Sequence, residues 1–231
     1  FIVVYLIALL LVAIPVLITE YAIGRKTGTS YTTALKKLLP GKKWYFIGIL
    51  GVLALTLTLS FYCGISGWTL AYLLKSITGA YSGMSVDQIN TMFSQFTADP
   101  FQMILWLGIM LLITAVVVLR GVQGGIEKVC NVLLPLMFIF IIFLAIRAIM
   151  LPGADEGLKF YLLPDFSSLD AEAVMAAIGQ SFFALGVGCG NLVVYGSYLD
   201  RKKTIGSSTV MVVVGDTVAA ILFGLIIFPA A

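Results

Sequence analysis

The chain has 231 residues, of which 61% are apolar and only 11% charged, and its mean hydropathy is +1.09. That composition excludes an ordinary soluble domain. The lack of histidine, and three cysteines (Cys63, Cys130, Cys189) without disulfide or metal-ligand spacing, remove most hydrolase and zinc chemistry.

A bilayer core takes about 20 apolar residues per helix. Six stretches approach that length, at roughly 1–23, 45–74, 102–119, 129–151, 173–199 and 205–231. They are too long and too unalternating for barrel strands. The reading is therefore an all-α membrane protein with six transmembrane helices. The first and last residues fall in or beside apolar runs, which predicts further helices on both sides.

The first span ends near Glu20, five residues before Arg25. Snorkelling or a pair with Arg25 explains that carboxylate as well as a function does. The stretch 27–43 predicts a short interfacial helix over Ser30-Tyr-Thr-Thr-Ala-Leu-Lys-Lys-Leu-Leu, ahead of Pro40-Gly41. In the second span Thr58, Tyr62 and Ile65 share one face at i, i+4 and i+7. A mid-helix tyrosine can orient a polar ligand, or it can be a core residue bonded to a neighbouring carbonyl. Residues 76–100 read as a polar, turn-rich loop. Spans three and four, joined by Arg120 to Lys128, read as antiparallel neighbours. Loop 152–172 carries Pro152-Gly153 and Pro164-Asp165, with Ser168 or Asp170 as the cap of the next helix.

The loops alternate in charge. Loops 24–44, 120–128 and 200–204 hold all of the 14 basic residues except Lys75, Arg147 and Lys159. The two remaining loops hold seven of the acids. Basic loops mark the cytoplasmic face, so the first span enters from outside a cell (inner) membrane. The net charge of +3 is this bias and no nucleic-acid footprint.

The fifth span contains Gly186-Val-Gly-Cys-Gly190 within an apolar run. Each glycine costs a helix interior about 0.5–1 kcal/mol relative to Ala, so three in five residues mark a break. Close packing on small residues would use a spacing of four on one face, whereas a spacing of two scatters them. Unwound backbone at membrane depth survives only where it is buried in protein or lines a cavity. There its carbonyls can hold a cation and its N–H groups an anion. Asp216, near the middle of the last span, marks an ion or proton path, or else a structural partner for a basic residue elsewhere.

Taken in order, several strings resemble the neurotransmitter:sodium symporter family. They are Tyr5-Leu-Ile-Ala-Leu-Leu-Leu-Val-Ala-Ile-Pro15 with Glu20 and Gly24-Arg25, and Tyr62 ahead of Ser66-Gly-Trp-Thr-Leu70. Arg120-Gly with Gly125-Ile-Glu-Lys128 and Pro164-Asp-Phe166 follow. Gly179-Gln180, Phe182-Phe183 through Tyr195-Gly-Ser-Tyr198, and Asp216-Thr with Phe228-Pro229 complete the set. The resemblance covers essentially the whole chain as family helices two to seven. Residues 1–231 would thus be part of a single transmembrane domain, with the first helix and the C-terminal helices absent.

It implies an inverted-repeat transporter fold with one broken helix, and sodium-coupled symport of amino acids by alternating access. The bilayer, an amino acid and sodium would be the partners, and the resemblance leaves a homodimer open. Tyr62 would bond the substrate carboxylate. Thr58, Ile65, Phe183, Gly186 and Cys189 would line its side-chain pocket, and carbonyls near Phe183, Ala184 and Gly186 would receive its amine. The Ala184 carbonyl and Asp216 would join the first sodium site, while Tyr5 and Gln180 fall where animal members hold chloride. Ala184 replaces a hydroxyl residue of many members, and Asp216 replaces a neutral amide of several. That carboxylate would supply the charge that chloride otherwise brings. Small residues at 186 and 189 predict a large apolar or aromatic substrate. Proton coupling through Asp216 is the alternative. A channel would want a repeated polar ring, and an enzyme would want a nucleophile–base pair.

Overall fold

The computed structural model describes residues 1–163, 169–200 and 202–230, among which every regular element is helical. The string Pro164-Asp165-Phe166, the alternative cap Ser168, Arg201 and Ala231 lie outside the described residues. Among the described residues, five helices are long and apolar enough to cross a membrane: α1 (Ile2–Thr27), α3 (Tyr45–Ile77), α5 (Pro100–Leu119), α6 (Val122–Ile149) and α10 (Ile205–Ala230). Between α1 and α3 lies the short α2 (Tyr31–Leu38), as the sequence predicts. The apolar stretch at 173–199 is the one that does not form a continuous helix. It folds as α8 (Ala171–Leu185) and α9 (Asn191–Tyr198).

Two segments read as loops contain helices. Val86–Ala98 forms α4, started by a capping box in which Ser85 and Gln88 satisfy each other's backbone N–H groups. Ala154–Leu162 forms α7. Asp170 is the cap of α8, its Oδ1 accepting from the Ala173 N–H at 2.7 Å. The link between α5 and α6 is shorter than the sequence suggests, only Arg120 and Gly121. A wide turn at Val122–Glu127 opens α6. A second such turn, Leu9–Ala13, precedes Pro15 in α1, where proline removes a helical donor and the ladder has to shift register.

The chain divides into two compact units, 1–55 with 135–231, and 56–134, the divisions falling inside α3 and α6. In the first unit, Tyr5, Leu9, Ala13, Leu17 and Tyr21 of α1 pack with Ala177, Leu185, Val187, Leu192 and Val213. Gly24 and Gly196 let α1 and α9 touch backbone to backbone. A Cβ on Gly24 would run into the Val193 carbonyl, and one on Gly196 would meet the Tyr21 backbone. α7 is fastened to α10 by Tyr161, whose ring stacks on Phe228 with centroids 4.9 Å apart and whose hydroxyl donates to the Ile221 carbonyl. Burial there raises the Tyr161 phenol above its ordinary pKa.

In the second unit, Trp68 Nε1 donates to the Met103 sulfur, tying α3 to α5. Tyr72 meets the rings of Tyr81, Phe93 and Phe96, and the Lys75 ammonium lies over Tyr72 and Phe96.

Candidate functional site

The break between α8 and α9 is fixed by backbone chemistry. Gly186, Gly188 and Gly190 have φ of 63°, 93° and 81°, left-handed at every second residue, a path that side chains with a Cβ resist. The N–H of Gly186 bonds to the Phe183 carbonyl and that of Val187 to the Phe182 carbonyl, which closes the end of α8. The next donor leaves the helix altogether. Gly188 N–H, which a continuous helix would give to the Ala184 carbonyl, donates instead to Oε1 of Glu20 at 2.8 Å. The Ala184 carbonyl thereby loses its helical donor, and the helix is broken where the glycine spacing suggested.

Glu20 is the residue that sequence reasoning left undecided. It is 5% exposed and is held on the break, while the Arg25 guanidinium donates to the Asp200 carbonyl. Snorkelling is therefore not its role. The amides of Gly190 and Leu192 also bear on its carboxyl, and Oε2 is buried without a hydrogen-bond partner. No local sequence signal points from Glu20 to Gly188, 168 residues away. The packing of α1 on Leu185 and Val187, with its close approach to α9 at Gly24 and Gly196, brings them together.

Asp216 lies in α10, and the Tyr5 hydroxyl of α1 interacts with its carboxyl. The pair falls short of full hydrogen-bond geometry: the Tyr5 hydroxyl and Oδ2 of Asp216 are both buried without a partner, as is the Thr217 hydroxyl. Each is a polar atom whose burial in an apolar surround is costly until it gains a partner. Gln180, grouped with Tyr5 by the resemblance, is exposed on α8, and none of the described hydrogen bonds joins it to Tyr5 or Asp216.

Of the expected substrate residues, Phe183, Ala184, Gly186 and Cys189 surround the break in the first unit. Phe183 is largely exposed. The space beside Gly186 is not empty: a Cβ there would lie 3.0 Å from Nδ2 of Asn191, which reaches back across the break. Thr58, Tyr62 and Ile65 belong to the second unit, on α3, with Thr58 and Tyr62 exposed.

These features coincide with a known family. A sequence model of the sodium:neurotransmitter symporter family matches residues 80–231. The sodium-dependent transporter YhdH of Bacillus subtilis is 38% identical over 230 residues, covering 100% of this chain and 51% of YhdH. A sodium-dependent transporter of Haemophilus influenzae is 30% identical and is covered to 52%. Among solved structures, MhsT in complex with L-phenylalanine superposes with a TM-score of 0.93 at 39% identity, over 100% of this chain and 52% of MhsT. The chain belongs to the sodium:neurotransmitter symporter family. It spans about half the length of the relatives it matches.

Proposed function

We propose that the intact protein carries amino acids across the membrane together with sodium, by alternating access, and that its substrate is large and apolar or aromatic. One observation supports this most directly. The helix break at Gly186–Gly190 is held by Glu20, which takes the helical donor of the Ala184 carbonyl in the same unit that holds Asp216, whose Oδ2 is buried without a partner. A hard cation without a transition metal's ligand preferences suits such oxygen donors. In this reading the Ala184 carbonyl and Asp216 bind sodium. The freed carbonyls near Phe183, Ala184 and Gly186 receive the substrate amine, and Tyr62 donates to its carboxylate. Thr58, Ile65, Phe183, Gly186 and Cys189 contact the side chain. That MhsT was solved with L-phenylalanine supports the aromatic preference. Tyr5 and Gln180 stand where chloride would sit, with Asp216 replacing its charge. Residues 1–231 form part of one transmembrane domain as family helices two to seven. The basic loops 24–44, 120–128 and 200–204 face the cytoplasm across the inner membrane.

The test is uptake of radiolabelled amino acids by the full-length protein in proteoliposomes under imposed gradients. A sodium gradient should drive uptake, and replacing chloride by gluconate should leave it largely intact. Uptake driven by a proton gradient without sodium would overturn the sodium assignment. Loss of most activity without chloride would overturn the role given to Asp216.

A further inference from the structure

The reading above makes no use of α2, yet the first residue of this short helix enters the break. The ring of Tyr31 lies against Gly190 so closely that a Cβ there would overlap Cδ1, Cγ and Cε1. Gly51 of α3 forms another wall: its missing Cβ would lie 3.4 Å from Tyr31 Cδ1 and would run into the Cys189 carbonyl. One turn earlier, Gly48 sits where a Cβ would meet the backbone and hydroxyl of Thr32 at 2.6–2.9 Å. Two glycines of α3 and the last glycine of the break thus make a socket for Tyr31 and Thr32. All of these residues lie in the first compact unit. Burial lifts the Tyr31 phenol above its ordinary pKa, and its proximity to Glu20 and Cys189 adds to that. The residue that grips the break and a residue within it are therefore both within electrostatic reach of the ring.

We propose that Tyr31 is a positioning residue, a wedge on the interfacial helix that fixes the α9 end of the break and shields Cys189. Its effect is steric, since Gly190 and the Cys189 carbonyl cannot shift toward α3 while the socket is filled. Withdrawal of α2 would free both, and this link to alternating access rests on the transport reading, whereas the wedge itself does not.

Native Cys189 supplies the readout. The full-length protein is treated with N-ethylmaleimide in the presence and absence of sodium, and alkylation of Cys189 is followed by peptide-resolved mass spectrometry. Tyr31→Ala should raise the Cys189 rate about tenfold, while Tyr31→Phe, which keeps the ring, should stay within about twofold of the unmodified protein. Buried Cys63 serves as the folding control and should stay unreactive. An unchanged Cys189 rate in a Tyr31→Ala protein whose Cys63 remains protected overturns the proposal. If Cys63 also becomes reactive in Tyr31→Ala, the same reading is made on Tyr31→Leu. Partial filling should then give a Cys189 rate between that of Tyr31→Phe and that of the unmodified protein unfolded in denaturant, and a rate equal to the unmodified folded protein overturns the proposal. If Tyr31→Ala exposes Cys189 but sodium alters the rate in no variant, the wedge stands and the sodium reading fails.

Discussion

At the scale of single residues, the hydrogen bond from Gly188 to Glu20 decides the local structure. A backbone N–H in an apolar surround costs about 1–3 kcal/mol when its partner is removed. Glu20→Ala should therefore destabilise the detergent-solubilised full-length protein by about that amount, and Glu20→Gln by less, because its amide oxygen can still accept from Gly188. Thermal unfolding checks the order. A Gln variant as unstable as Ala would assign the effect to the carboxylate's charge and not to the bond. Glu20 also shows what the sequence hides. The glycine triplet was legible because three left-handed residues have a compositional signature. Its clamp was not, because a carboxylate near a basic loop has an ordinary local explanation. Asp216 lay between the two cases: its depth in an apolar span marked it, but its coupling to Tyr5 is a tertiary fact.

At the scale of elements, caps were more legible than loops. Asp170 was a readable cap, and Ser85 followed by Gln88 carried the capping-box signal for α4, although the turn residues around it suggested a loop. The wide turns at Leu9–Ala13 and Val122–Glu127 were not legible as register shifts, since a proline or glycine beside a helix marks a break as readily as a widened turn. Pro15 and Gly121 are visible only as punctuation. The α5 start offers a test by pH. The Gln102 side-chain amide, donating to Asp99 at 3.1 Å, holds that carboxyl below the usual aspartate range, helped by the Gln102 and Phe101 N–H groups. A folded value below the unfolded one stabilises the cap at pH above the unfolded value, and this is lost as pH falls through the lower, folded value. Hydrogen-exchange protection of the Phe101 and Gln102 amides should accordingly persist at neutral pH and fall in acid below the ordinary aspartate range. In Asp99→Asn that pH dependence should disappear. Protection independent of pH in the unmodified protein would mean that Gln102 and Pro100 alone secure the helix start.

At the scale of the whole molecule, the membrane class followed from composition, and the family followed from strings spread along the entire chain, so both were legible without any local structure. Substrate size is harder, because it depends on how space is used beside the break. Gly186 and Cys189 are small, which suggested a deep cavity, but the Asn191 amide takes the position that a side chain on Gly186 would occupy. Gly186 also has a φ of 63°, so Gly186→Ser would strain the backbone as well as fill space and cannot report pocket volume cleanly. Cys189 is the better probe. If its side chain borders the substrate, a small amino acid leaves volume unfilled and forfeits about 0.8 kcal/mol for each methylene not buried. The unmodified full-length protein should then favour tryptophan, phenylalanine and leucine over alanine in competition against its best radiolabelled substrate. Cys189→Phe should move the preference toward smaller side chains by filling that volume. Alanine winning in the unmodified protein would mean that the Asn191 amide and other groups already close the cavity. An unchanged ranking in Cys189→Phe would mean that the thiol points toward Tyr31 and away from the substrate.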